Sequence, residues 1–191
     1  MTAARPRLRQ RDGRTCGPSV AVVAGALLDP GYGTGLVGAD AGQAWFSGEQ
    51  VRVHALVNRL WPRALGTTPM GMARALTPHS RGRGVRYRWR IWRGRRDRLT
   101  DVVESVRSNW PVPMLLGRWI PRHWVLVVAV SADVLHCYEP SSGEVREVGL
   151  DTVRLAQVRG LGYPRPFAFV VPRRADGFPP GVGDRAPDRG R

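Results

Sequence analysis

Apolar residues crowd positions 20–28, where valine, alanine and leucine are interrupted only by Gly25. An uncharged run of that length predicts a helix buried on most of its surface, from about residue 15 to 28. Pro18 fits its first turn, and Asp29-Pro30-Gly31 stops it. A glycine-rich stretch at 32–42 leads to Ser47-Gly48-Glu49-Gln50, a capping-box pattern. It predicts a second helix with Val53, Leu56, Val57 and Leu60 on one face, ended by Trp61-Pro62. Thr68 before Pro69 predicts a third helix, with Met72, Ala73 and Leu76 inward and Pro78 closing it.

The period then changes. Val85, Tyr87, Trp89 and Ile91 alternate with Arg86, Arg88 and Arg90, which predicts a half-buried strand with aromatics in the core and arginines in water. Leu99, Val102, Val103, Val106 and Trp110 share one helical stripe, broken at 109–111. Apolar runs at 112–117, 123–130, 134–139, 144–148 and 167–171 predict strands. The short connections at 131–133 and 140–143 suit antiparallel hairpins. Helices first and sheet second make an α+β domain. After Pro172 almost nothing can be buried, so residues 173–191 are expected to be a disordered tail, residues 1–9 a flexible terminus, and 10–172 one domain.

Composition changes this picture little. The 191 residues carry a net charge of +15, and every basic residue is arginine; lysine is absent. That skew looks more like GC-rich coding than like selection for phosphate binding, so a nucleic-acid partner is not expected, although the field attracts acidic partners. The arginine-rich start before the run at 20–28 imitates a signal peptide. Asp12 in the basic region, Pro18 ahead of the apolar core and the lack of an Ala-x-Ala site argue against one. No stretch approaches membrane-spanning length. Cytoplasmic synthesis is expected, and any export would follow a route without a classical signal. Two cysteines, Cys16 and Cys137, build no disulfide framework, and no third sulfur or suitably spaced histidine completes a zinc site. Neither metal nor cofactor is expected.

Candidate chemistry starts at Cys16. A thiol in a helix's first turn feels the positive end of the helix dipole and its unpaired amides, which is how a nucleophilic cysteine is mounted. Among four histidines, only His123 heads an apolar strand, from whose edge its imidazole can reach the helix. His54 falls on a helix, His79 in a turn, and His136 on the strand face opposite Glu139. Glu139 ends the next run, giving cysteine, histidine and carboxylate in chain order, with Gln10 six residues before the thiol. Cys137 is expected to be packing.

Gln10, the Cys16-Gly17-Pro18 helix start, Pro113 opening a strand, His123-Trp124 followed by aliphatics, and Glu139-Pro140 with Gly143 together resemble the papain-like cysteine peptidases. The branch they resemble most is that of the bacterial double-glycine leader peptidases. The resemblance spans about 10–171 and implies a papain-like fold and a thiol hydrolase acting on an amide bond of a protein or peptide. It makes Cys16 the nucleophile, His123 the proton carrier, Glu139 its orienting partner and Gln10 an oxyanion donor. The chain departs from the family pattern at Glu139, where aspartate or asparagine is usual, and no membrane segment is expected within these residues, whereas the leader peptidases are usually fused to a membrane transporter. The same acyl-enzyme serves deamidation or transamidation, and a non-catalytic binding protein with a basic surface is the reading from another class. A toxin-like effector, paired with an inhibitor or immunity protein, is a third.

Overall fold

The computed structural model describes residues 8–10, 15–36, 39–57 and 67–174. Expectations for residues 1–7, for the helix end at Trp61-Pro62 and for residues 175–191 fall outside them. Helices α1 (Cys16–Leu28), α2 (Ala39–Val57) and α3 (Pro69–Ser80) precede strand β1 (Val85–Ile91) and helix α4 (Thr100–Arg107). Strands β2 (Val112–Gly117), β3 (Pro121–Ser131), β4 (Val134–Glu139) and β5 (Glu144–Gly149) follow, then the short helix α5 (Leu150–Arg154) and β6 (Arg165–Arg174). The six strands form one antiparallel sheet in the order β1-β6-β2-β3-β4-β5. The fold is α+β.

Side chains that alternate along the central strands feed two cores. Leu115, Trp124, Leu126 and Tyr138 pack with α1, α2 and α3, whereas Met114, Leu116, Val125, Val127 and Cys137 pack with α4 and α5. Covered on both faces, β2 is buried along its whole length, which is why its sequence reads as a continuous apolar run. Helix α1 is nearly as enclosed, because it packs on the sheet with α2 and α3 against it as well.

Several elements depart from the sequence pattern for identifiable reasons. Helix α2 starts at Ala39, not Ser47, and Ser47 Oγ donates to the Gln43 carbonyl at 2.9 Å inside it. Its buried stripe is Phe46, Gln50 and Val53, and Gly42 lets it approach the 3-10 turn Tyr32–Leu36, where a Cβ would meet the Leu36 carbonyl at 2.8 Å. Helix α3 passes through Pro78 to Ser80, because a proline in the last turn forfeits only one carbonyl bond. Its start is as expected: Thr68 accepts the Gly71 N–H at 3.0 Å, and Met72, Ala73 and Leu76 are buried.

The alternation of β1 holds for only half the strand. Val85 and Tyr87 lie under α3, but Trp89 is 46% exposed and Ile91 65%, because the helix does not extend over them. Arg90 leaves the water instead, its guanidinium held by Asp97 and Asp101 at 2.6–3.1 Å. Helix α5 is too short to show a period, and only Leu150 and Val153 anchor it.

Candidate active site

Helix α1 begins at Cys16, and Thr15 gives its first turn no side-chain cap. The Thr15 carbonyl takes both the amide of Ser19, at 2.9 Å, and its hydroxyl, at 2.8 Å. Gly17 is required by crowding: a Cβ there would collide with Thr67 Oγ1 and lie 3.2 Å from Trp124 Cδ1. Trp124 in turn donates its indole N–H to the Thr67 carbonyl at 2.8 Å. The helix start is thus wedged against the strand that carries the histidine. Cys16 is buried, and its thiol is directed at the Arg122 carbonyl, 3.9 Å away.

Arg122 faces that way because β3 is irregular at its start. Leu116 pairs with His123 and Gly117 with Pro121, so Arg122 is an extra residue in the ladder. Such bulges re-aim the chain beside them. His123 follows, 7% exposed, with Nε2 3.1 Å from Glu139 Oε1 and the Cys16 side chain near enough to act on its charge. With Nε2 on the carboxylate, Nδ1 is the ring nitrogen left for the thiol. The ring also lies against Tyr163, with centroids 5.7 Å apart. Burial alone would lower the imidazole pKa, but the thiol and the carboxylate outweigh it and raise it to about 9.

Glu139 is buried at the end of β4. Its Oε1 also accepts the Ser141 N–H at 2.8 Å, and Oε2 accepts that of Ser142 at 2.9 Å. Burial would push this carboxyl up; His123 and the two turn amides prevail and hold it well below the usual carboxylate range. The turn folds back over the glutamate, which still reaches the imidazole. Gly143, at φ +70°, closes that turn by donating to the Glu139 carbonyl at 2.8 Å.

The same turn holds the N-terminal arm. Gln10 donates its backbone N–H to the Pro140 carbonyl at 2.8 Å, Tyr138 donates its hydroxyl to the Leu8 carbonyl at 2.7 Å, and Arg9 Nε donates to Ser142 at 3.0 Å. Leu8 and Arg9, assigned from sequence to a flexible terminus, are therefore tied to the turn that carries Glu139. Gln10 Oε1 is buried without a hydrogen-bond partner, and among the described residues its side chain is not bonded to Cys16, His123 or Glu139. The structure brings Cys16, His123 and Glu139 into contact and sets the Gln10 backbone at their rim.

Other chemical candidates lie elsewhere. His79 stacks on Tyr32 and faces Asp29 at 3.7 Å, while His136 meets Ser131 Oγ at 2.6 Å and Glu147 at 3.6 Å. Cys137 is buried in the α4-side core, which pushes its thiol pKa up to about 12. No group of three potential metal ligands occurs among the described residues, and no helix there is long and apolar enough to cross a membrane. Sequence reasoning missed Thr67 and Tyr163. Their proximity to the site is purely tertiary, and no local pattern signals it.

No protein-family model and no curated protein matches this chain. Solved structures similar to it include the peptidase domain of Streptococcus ComA, a bifunctional ABC transporter involved in quorum sensing. That likeness has a TM-score of 0.48 and 18% identity, over 87% of this chain and 97% of that one. A double-glycine motif protease from an AMS/PCAT transporter, solved in complex with the leader peptide, has a TM-score of 0.45 and 14% identity over 92% and 97%. The N-terminal peptidase C39-like domain of a Vibrio parahaemolyticus toxin secretion ATP-binding protein has a TM-score of 0.40 and 8% identity over 87% and 100%.

Proposed function

We propose that this chain is a thiol hydrolase of amide bonds, a cysteine peptidase that works through Cys16, His123 and Glu139. The observation that carries the reading is one buried cluster: a thiol at a helix start, directed at the carbonyl of the residue before an imidazole that is itself 3.1 Å from a buried carboxylate. An imidazole with a pKa near 9 is protonated at neutral pH, so it stands ready as a proton donor beside the sulfur.

In this mechanism the Cys16 sulfur, its proton passed to His123, bonds to the carbonyl carbon, and the carbonyl electron pair moves onto oxygen. The backbone N–H of Cys16 and the side-chain N–H of Gln10 receive that oxyanion. As the intermediate collapses, the C–N bond breaks and the amine leaves with the His123 proton, giving a thioester. Water then attacks, His123 takes its proton, and the acid product leaves as the sulfur is released. Glu139 keeps the ring oriented and balances its charge. Attachment of the Gln10 arm to the turn that holds Glu139 supports its place in the scheme.

The test is the pH dependence of alkylation at Cys16 and Cys137, read by peptide mass spectrometry in wild type and in His123→Ala. A Cys16 that reacts far faster than Cys137 near about pH 7, and slows without His123, fits the reading. A Cys16 no faster than Cys137 and indifferent to His123 would sink it. Peptide cleavage by an alkylation-competent enzyme then identifies the substrate class.

A further inference from the structure

We propose that the open edge of β1 is a docking site for a partner protein's extended segment in which acidic and apolar residues alternate, bound as a seventh strand. This surface is separate from the thiol site. Strands β6 and β2 stand between β1 and the strand carrying His123.

The phase of the sheet shows which backbone groups are open. Trp92 donates its N–H to the Phe167 carbonyl at 2.9 Å, so Arg90, Arg88 and Arg86 are the residues of β1 that bond to β6. Val85, Tyr87, Trp89 and Ile91 turn their backbone groups to the free edge. Helix α3 covers the first half of that edge: Thr77 Oγ1 accepts the Tyr87 N–H at 3.3 Å, and Ser80 Oγ donates to the Val85 carbonyl at 2.9 Å. Beyond it, among the described residues, the N–H and carbonyl of Trp89 and the N–H of Ile91 have no partner. The Ile91 carbonyl takes only the Arg90 side chain, at 3.2 Å.

The side chains around this gap define the occupant. Trp89 and Ile91 are exposed on the α3 side of β1, past the part of the strand that the helix covers. A cavity of about 460 Å³ opens there between α3 and β1, with Met70 and Trp89 as large apolar lining and Arg74, Arg81, Arg86 and Arg88 around it. No carboxylate lines it, and none of these arginines has an ion pair among the described residues. Neighbouring strands set like-facing side chains beside each other. An added strand would therefore need apolar groups beside Trp89 and Ile91 and carboxylates beside Arg86 and Arg88. A second copy of β1 fails this condition, because it would bring arginine against arginine. Backbone bonds at the edge supply affinity, and alternate side chains supply selectivity.

The test is fluorescence anisotropy of a fluorescein-labelled Glu-Val-Glu-Leu-Glu-Val-Glu peptide on full-length Cys16→Ala protein. With the thiol removed the probe cannot be consumed, and binding is read whether or not the chain is a hydrolase. Saturable binding is expected, weakened at least about tenfold by Arg86→Glu/Arg88→Glu. N-methylation of the peptide residues facing β1 should weaken it similarly, while N-methylation of the outward residues leaves it unchanged. Equal affinity of the two methylated peptides would reduce the effect to charge attraction and overturn strand addition. So would an absence of binding, full binding by the charge-reversed variant with its fold intact by circular dichroism, or a dimer abolished by Ile91→Arg, which would assign the edge to a second copy.

Discussion

His123 Nε2 and Glu139 Oε1 lie 3.1 Å apart with both side chains buried, and the carboxylate's remaining capacity is taken by the amides of Ser141 and Ser142. Glu139 is therefore fixed from two sides. Glu139→Gln keeps the shape but removes the charge that favours the imidazolium. Its kcat/KM on any substrate found should fall by about 100-fold or more, less than for Cys16→Ala, because an orienting carboxylate contributes less than the nucleophile. Glu139→Asp withdraws the carboxyl by one methylene from a turn wrapped around the longer side chain. We expect it to impair activity nearly as much. An aspartate variant with wild-type kinetics would show that the contact at 3.1 Å has no catalytic weight.

The raised pKa of His123 and the depressed one of Glu139 bracket a window of stability. His123 gains a proton affinity on folding, so its contribution is complete below the unfolded value of about 6.5 and is lost as pH rises through about 9. It amounts to on the order of 3 kcal/mol, at about 1.4 kcal/mol per pH unit. Glu139 behaves oppositely: its contribution is complete above the unfolded value of about 4.3 and is lost as pH falls towards its depressed folded value. Thermal unfolding should therefore show a plateau between about pH 4.5 and 6.5 with decline on both sides. In His123→Ala the alkaline decline should largely disappear. Activity should also fall as pH rises through about 9, because the leaving amine loses its proton donor.

Gly17 is the tightest point of the site. A methyl group there must displace Thr67, which is β-branched and anchored through its carbonyl to Trp124. Gly17→Ala should cost about 1–3 kcal/mol by overpacking and also slow Cys16 alkylation, since the helix start must shift. Pairing it with Thr67→Gly removes the clash. In a double-mutant cycle the two changes should be strongly non-additive, and simple additivity would disprove the contact.

How far the chain could be read from its residues depends on whether an environment is set locally. Strands β2 and β4 match their apolar runs in both bounds, because nearly every residue in them meets core on one face or the other. Cys16 was legible as the first residue of a buried helix, and His123 as the first buried residue of its strand. Trp89 and Ile91 were not, since their exposure depends on where α3 stops, and Arg90 is enclosed by carboxylates 7 and 11 residues away. Ser47 carries a capping signature that a longer buried stripe overrides. The reach of Glu139 depends on a turn whose amides fold back on it, and the position of Gln10 on hydrogen bonds across more than 120 residues. The turn is local but its backbone path is not written in residue type, and no sequence window contains the contacts of Gln10.

That long-range attachment carries the last prediction. Tyr138 holds the Leu8 carbonyl at 2.7 Å, and Gly143 leaves room for it, since a Cβ there would sit 2.9 Å from the same oxygen. Tyr138→Phe deletes only the hydroxyl and should cost about 1 kcal/mol. Gly143→Ala adds a clash at a residue whose φ of +70° disfavours a side chain, and should cost more. Both loosen the arm that carries Gln10 and leave the side chains of Cys16, His123 and Glu139 in place. If Gln10 stabilises the oxyanion, each variant should lower kcat while leaving the His123-dependent alkylation of Cys16 as it was, because alkylation by a saturated haloacetamide carbon forms no oxyanion. Gln10→Ala should lower kcat as much and add little when combined with Tyr138→Phe. Should alkylation fall in parallel with turnover, the arm acts by supporting the turn around Glu139, and Gln10 has no separate part in the chemistry.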